Sequence, residues 1–326
     1  LAAVPESVRM AGRHDYHWSH PRLPAPMRIV LCYPVEARHL RQIAQTVPEA
    51  EVVDAGQERI AREIFAADVY CGHAKVPVDW DGVVRQGRLR WIQSSAAGMD
   101  HCLVPPVIAS DIVVTSASGV LADQVAEHTV ALVTAWFRSL PVFFRAQQNK
   151  EFIRRATRDL TRSTVGIVGL GGVGRRLAEL LLPFRTRIVA TDMFPVEKPE
   201  GVEALWPADR LDDLLARSDV VVLSLPLNDM TRGLIDAAAL GRMKPDALLV
   251  NVARGPLVVT ADLVAALRSG RPAGAVVDVT DPEPLEPDSG LGEMPRVIIT
   301  PHVAGQGAWR IDRMTDLFCR NLARWT

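Results

Sequence analysis

Thr164-Val165-Gly166-Ile167-Val168-Gly169-Leu170-Gly171-Gly172-Val173-Gly174 is the stretch that decides how this chain is read. An apolar run, Thr164–Val168, predicts a buried strand, and Val173–Leu182 has the amphipathic spacing of a helix. Between them the glycines fit G-x-G-x-x-G in the strand–turn–helix context that this pattern requires. Gly169 permits a tight turn, Gly171 lets backbone approach a pyrophosphate, and Gly174 lets helix and strand pack closely. The amides of Gly172 and Val173 open the helix, where N–H groups and the dipole meet negative charge. Asp192 closes the next strand, 18 residues after Gly174. Its carboxylate can accept hydrogen bonds from both hydroxyls of an adenosine ribose. Met193 and Phe194 follow with no arginine beside it, so a 2′-phosphate would meet an unneutralised charge. The reading is a nucleotide domain that takes NAD(H) in preference to NADP(H).

Outward from this motif, short apolar runs alternate with amphipathic segments, the pattern of βα units on a parallel sheet. Strands are predicted at Thr164–Val168, Arg187–Thr191, Val220–Leu223, Leu248–Asn251, Ala275–Val279 and Val297–Thr300. Helices are predicted at Val173–Leu182, Leu211–Arg217, Asp236–Gly241 and Ala261–Ser269. Before the motif, strands are expected at Arg28–Cys32, Glu51–Asp54, Val69–Cys71, Leu89–Gln93 and Ile112–Thr115. Pro34–Thr46 and Asp100–Ala109 read as helices, and a long helix, Ala122–Leu140, is expected to end at Pro141. The amphipathic tail Ala308–Thr326 should return to the first domain. The expected fold is α/β, two doubly wound parallel-sheet domains. The expected division is an arm over 1–26, a substrate domain over 27–120 with 304–326, and a nucleotide domain over 121–303.

The composition agrees with a globular chain. Of its 326 residues 48% are hydrophobic and 23% charged, which separates it from disordered sequences. The 37 Lys and Arg against 38 Asp and Glu leave a net charge of -1, without the basic excess of a nucleic-acid binder. The most apolar long stretch, Val120–Phe144, carries Asp123, Glu127, His128 and Arg138, which oppose a membrane span. The 4 cysteines are scattered and have no metal-ligand spacing, so neither a disulfide framework nor a metal site is expected. His14, His17 and His20 recur every third residue, but Pro21, Pro24 and Pro26 oppose a helix that would align them. The first residues lack the basic and apolar regions of a secretory signal, so a cytoplasmic location is expected.

Three further segments follow the glycine motif: Asn251-Val252-Ala253-Arg254-Gly255-Pro256-Leu257-Val258, Asp278-Val279-Thr280-Asp281-Pro282-Glu283-Pro284-Leu285 and Thr300-Pro301-His302-Val303-Ala304-Gly305. With GLGGVG, in this order and spacing, the chain resembles the D-isomer-specific 2-hydroxyacid dehydrogenase family from about Ser94 to Thr326. The resemblance implies a Rossmann-type NAD domain inserted into a flavodoxin-like substrate domain. It also implies interconversion of a D-2-hydroxy acid and its 2-keto acid, and a homodimer formed through the nucleotide domain. The family's catalytic arginine, glutamate and histidine match Arg254, Glu283 and His302. Pro226, Thr231, Val252 and Asp278 are the further cofactor contacts it implies.

These roles are chemically coherent. A hydride leaves C2 of a hydroxy acid only as the hydroxyl proton leaves too, which requires an acid–base group such as His302. Glu283 beside it would stabilise the imidazolium, and Arg254 offers a planar cationic fork to the substrate carboxylate and carbonyl. The loop Ser94-Ser95-Ala96-Ala97-Gly98-Met99-Asp100 is similar to the family's substrate loop, with Ala96, Ala97 and Gly98 offering backbone amides. Val125-Ala126-Glu127-His128 resembles the family's helix between domains, with His128 a packing and hydrogen-bonding residue. Phe152 stands in a region where the family commonly has tryptophan.

Glu283 argues against formate oxidation, since the formate enzymes of this fold carry glutamine there. Two alternatives share the fold, phosphite oxidation and a nucleotide-sensing corepressor. Asp278-Val279-Thr280 is similar to glyoxylate/hydroxypyruvate reductases. Arg90 is the only cation within 90–110, so no phosphate anchor is read locally and small glyoxylate-like or hydroxypyruvate-like acids are favoured.

Overall fold

The central strands of each sheet are short and buried on both faces, as expected where helices cover a parallel sheet on both sides, and the edge strands are less buried. A computed structural model describes residues 26–195 and 197–326. His14, His17 and His20 lie outside the described residues.

The first sheet contains β1 (Arg28–Cys32), β2 (Glu51–Asp54), β3 (Val69–Gly72), β4 (Trp91–Ser94) and β5 (Val113–Thr115). Their order is β2-β1-β3-β4-β5, all parallel. This is the flavodoxin-like order. Helices α1 (Ala37–Thr46), α2 (Gly56–Glu63), α3 (Trp80–Gln86) and α4 (Pro105–Ile108) connect these strands. Next come α5 (Ala122–Phe137) and α6 (Leu140–Gln148).

The second sheet contains β6 (Thr164–Val168), β7 (Arg187–Asp192), β8 (Val202–Pro207), β9 (Val220–Leu223), β10 (Leu248–Asn251), β11 (Gly274–Val277) and β12 (Val297–Ile299). They run β12-β11-β10-β9-β6-β7-β8, the doubly wound dinucleotide order with one further parallel strand. Its connections include α7 (Gly172–Leu181), α8 (Leu211–Arg217), α9 (Ala237–Arg242) and α10 (Thr260–Ser269), and the chain closes with α11 (Arg310–Trp325). Met314, Phe318 and Leu322 of α11 are buried in the core of the first sheet. There the Phe318 ring lies 5.5 Å from that of Trp91. The chain therefore leaves the first sheet through α5 and returns to it through α11.

Three sequence expectations are corrected. The helix expected over Asp100–Ala109 is confined to Pro105–Ile108. Pro105 and Pro106 suit a first helical turn, and Val104 before them is extended, as residues preceding proline prefer. The helix expected to end at Pro141 stops instead at Phe137. Ser139 then adopts φ 55°, and Pro141 lies in the first turn of α6, where a missing N–H loses no bond. β8 was not anticipated, because its mixed burial blurs the apolar signal. It lies at the sheet edge, where its terminal Pro207 is tolerated.

Candidate active site

The glycine loop fits a dinucleotide by its own sterics. Gly169 has φ +91°, and a Cβ there would lie 2.8 Å from the Ser224 carbonyl oxygen, so only glycine makes this turn without strain. A Cβ on Gly174 would run into the Gly169 carbonyl oxygen, which accounts for the close contact of α7 with β6. At Gly171 nothing lies within 4 Å of the corresponding position, leaving the backbone open to a pyrophosphate. Asp192 ends β7 with each carboxylate oxygen bonded once. One accepts the Leu170 amide at 2.7 Å and the other the Phe194 amide at 2.9 Å. This braces the glycine loop while lone pairs remain for ribose hydroxyls. Pro226 and Thr231 meet in the loop after β9, where the Thr231 hydroxyl donates to the Pro226 carbonyl at 2.8 Å. Val252 follows β10 directly. These loops would hold a nicotinamide nucleotide, which when bound would supply or take a hydride.

Arg254, Glu283 and His302 stand on loops just past the carboxyl ends of β10, β11 and β12. This is the crevice where open α/β sheets bind ligands. Buried Asn251 shapes the first loop. Its amide donates to the Arg254 carbonyl at 2.8 Å, and its oxygen accepts from Ala253 N at 3.1 Å. Glu283 is held at both oxygens, one accepting from the Thr280 amide at 3.1 Å and the other 2.8 Å from His302 Nδ1. Nδ1–H donation to Glu283 leaves Nε2 of the half-exposed imidazole as the atom presented to a substrate.

His302 adopts φ 54°, the left-handed region that non-glycine residues enter rarely. Asp278, 2% exposed, over-determines that conformation. Its carbonyl accepts from His302 N at 2.7 Å. Its carboxylate accepts from Val303 N at 3.0 Å, Ala304 N at 2.9 Å and the Thr300 hydroxyl at 2.5 Å. Asp278, expected among the cofactor contacts, thus has both carboxylate oxygens engaged in the loop that carries His302. His128 hydrogen-bonds the Thr300 hydroxyl at 3.0 Å, in keeping with the supporting role read for it.

Across the crevice lies the loop after β4. The Ala96 amide is taken by Ser94 Oγ at 3.0 Å. Of the three amides expected to receive a substrate, those of Ala97 and Gly98 have no acceptor among the described residues. The Arg254 guanidinium reaches this loop, and a Cβ at Gly98 would collide with it. Its Nε also donates to Asp100 at 3.2 Å. Burial raises the Asp100 pKa, but Arg254, a backbone hydrogen bond and His101 together outweigh it and hold the carboxyl below its usual range.

Sequence reasoning missed Asp100, Asn251 and Thr280 as supports of the site. It also missed His73 and His101, whose rings stack with centroids 3.8 Å apart. Nothing in the linear spacing of these residues announces that they meet. Burial and mutual repulsion push His101 down to about 4, and burial also lowers His73. Lys75, Arg254 and Arg310 lie near enough to oppose protonation of His73, and Asp100 favours it.

Residues 130–304 match the model of the D-isomer specific 2-hydroxyacid dehydrogenase NAD-binding domain. The chain belongs to this family. It is 34% identical to a glyoxylate reductase of Thermofilum pendens, over 85% of this chain and 83% of that protein. It is 35% identical to an (S)-sulfolactate dehydrogenase of Chromohalobacter salexigens, over 76% of this chain and 81% of that protein. The fold superposes with a TM-score of 0.77 on a D-isomer specific 2-hydroxyacid dehydrogenase from Xanthobacter autotrophicus Py2, solved with NADPH and MES. That match has 29% identity and covers 92% of this chain and 95% of the other. Among the described residues no helix is long and apolar enough to cross a membrane.

Proposed function

We propose that this family member reduces small 2-keto acids to D-2-hydroxy acids, and runs the reverse reaction, with NAD(H) as its preferred cofactor. The observation that carries this reading is the 2.8 Å contact of His302 Nδ1 with Glu283 in the crevice that also holds Arg254 and the glycine loop. In the reduction, Arg254 and the amides of Ala97 and Gly98 hold the substrate carboxylate. His302 Nε2 donates a proton to the carbonyl oxygen as C2 is reduced, and Glu283 stabilises the imidazolium that precedes this transfer. In oxidation the same nitrogen accepts the hydroxyl proton. The carboxylate of Asp192, at the end of β7 and bonded to the Leu170 amide of the glycine loop, supports NAD(H) over NADP(H).

The proposed division assigns 27–120 with 304–326 to a substrate domain and 121–303 to a nucleotide domain. Burial of α11 against the first sheet supports it. A homodimer through the nucleotide domain is part of the same reading, supported by exposed Phe144 and Phe152 on and after α6. The deciding experiment follows nucleotide absorbance while the protein is offered a panel of 2-keto acids with NADH and with NADPH. His302→Ala serves as the control. Turnover of at least one acid, lost in the variant, is the expected result. Absence of turnover with every acid, cofactor and direction refutes the reading.

A further inference from the structure

The stacked histidines of the first sheet have no part in the chemistry above, yet they stand beside it. His73 follows β3, and its position is set by a tight backbone approach. A Cβ at Gly72 would lie 2.5 Å from the Cys32 carbonyl oxygen, so glycine brings the ends of β3 and β1 together there. The His73 amide then donates to that same carbonyl at 3.1 Å. His101 comes from the loop after β4, one residue beyond Asp100, the partner of Arg254. The two rings lie 21° from parallel with centroids 3.8 Å apart. His101 Nε2 lies 3.4 Å from Ser94 Oγ. Neither ring nitrogen of His73 has a hydrogen-bond partner among the described residues, although the ring is partly buried.

Asp100 and Arg254 act on both rings, and Lys75 and Arg310 act on His73. Lys75 follows it on the same loop, Asp100 lies on the β4 loop, Arg254 comes from the nucleotide domain and Arg310 opens α11. Three cations face one carboxylate. With Asp100 and the carboxylate next to C2 set against these three cations, one positive charge is left over for the rest of the substrate. His101 is held by Ser94 and by the Gly72 backbone, whereas His73, stacked on it, keeps its ring nitrogens unused and is suited to grip an anion in such a field, because the anion's charge favours a proton the ring otherwise lacks.

We propose that His73 and His101 determine specificity by binding a second acidic group, a carboxylate or sulfonate carried on C3 of the 2-keto acid. The inference rests on the dehydrogenase reading and sharpens it to a substrate class. Burial and the neighbouring cations keep the pair neutral in the free protein. Binding of the second anion therefore takes up a proton, so recognition strengthens as pH falls. A substrate without C3 gains nothing from this exchange.

The test compares kcat/KM for oxaloacetate and 3-sulfopyruvate, the carboxylate and sulfonate arms, with glyoxylate and hydroxypyruvate from pH 8 to pH 6. Since every substrate depends alike on His302, its contribution cancels in the ratios. At least one C3 acid is expected to be preferred, with its ratio to glyoxylate rising up to about tenfold per pH unit lowered for one proton taken up. In His73→Gln this ratio falls by about ten- to hundredfold, the loss of a charged hydrogen bond. Equal or better use of glyoxylate or hydroxypyruvate, or a ratio flat with pH in the wild type, overturns the inference and leaves the dehydrogenase reading intact. Failure to reduce any of the four while another 2-keto acid of the panel is turned over overturns the inference alone, and absence of turnover with every acid, cofactor and direction overturns both.

Discussion

Asp100 Oδ1 lies 3.2 Å from Arg254 Nε, and this single contact ties the loop after β4 to the loop after β10 across the crevice. It places an anion on the cation that a substrate carboxylate would use. Asp100→Asn removes that competitor while keeping the shape of the side chain. The KM for 2-keto acids is expected to fall by about two- to fivefold, the scale of a partly exposed ion pair. Steady-state kinetics checks it, and a raised KM would show instead that Asp100 chiefly orients the guanidinium.

His302, Glu283 and Arg254 are separable by pH–rate profiles. His302→Ala should lower kcat by about a hundred- to ten-thousandfold, with nucleotide affinity little altered. Glu283→Gln removes the charge beside Nδ1 but not the side chain's bulk. The fall of the reduction rate with rising pH should then begin at lower pH, with less effect at the acid end. Arg254→Ala should be poor at every pH, because it loses both the carboxylate anchor and the polarising charge.

Cofactor choice is expected to turn on Asp192. The wild type should use NADH better than NADPH by kcat/KM. Asp192→Ser should lower kcat/KM for NADH by about ten- to hundredfold and narrow the difference between the cofactors. The Leu170 amide also bonds Asp192 at 2.7 Å, so circular dichroism should accompany the kinetics to confirm that the fold is kept.

His101 makes the fold sensitive to acid. Its pKa is lowered from 6.5 to about 4 in the folded state, chiefly by burial. Between these values the unfolded chain binds the extra proton, so this group's contribution to stability is complete above 6.5 and declines toward 4. Thermal unfolding should show wild-type Tm falling more steeply over that window than the Tm of His101→Gln. Parallel slopes would exclude His101 as a source of the acid sensitivity.

The apolar strip on α6 and beyond bears on assembly. Phe152 is 92% exposed and Phe144 58%, a large apolar area for a free surface. Light scattering is expected to give a dimer for the wild type and a shift toward monomer for Phe152→Asp. A monomeric wild type would remove the homodimer from the proposal.

The sequence by itself determined the elements whose cause is local. β1, β2, β6, β9 and β10 occupy the predicted residues, because a short apolar run between breakers can only be buried as a strand in this alternation. The glycine turn between β6 and α7 and the meeting of Glu283 with His302 were legible too, since both follow from motif spacing around strand ends. Helix ends were read less well, because Pro105 and Pro141 each begin a helix rather than continue or stop one.

Only the tertiary structure decided which distant residues share the crevice. Gly72 lets β3 close on β1 and so delivers His73 to His101, 28 residues away in sequence. Arg254 meets Asp100, 154 residues away, because one stands on each sheet. The segment 90–110 contains Arg90 as its one lysine or arginine, yet the fold gathers Lys75, Arg254 and Arg310 around His73, whose ring stacks on that of His101. Local pattern follows from the backbone's short-range preferences, whereas these groupings follow from strand order and domain packing, which no single segment encodes.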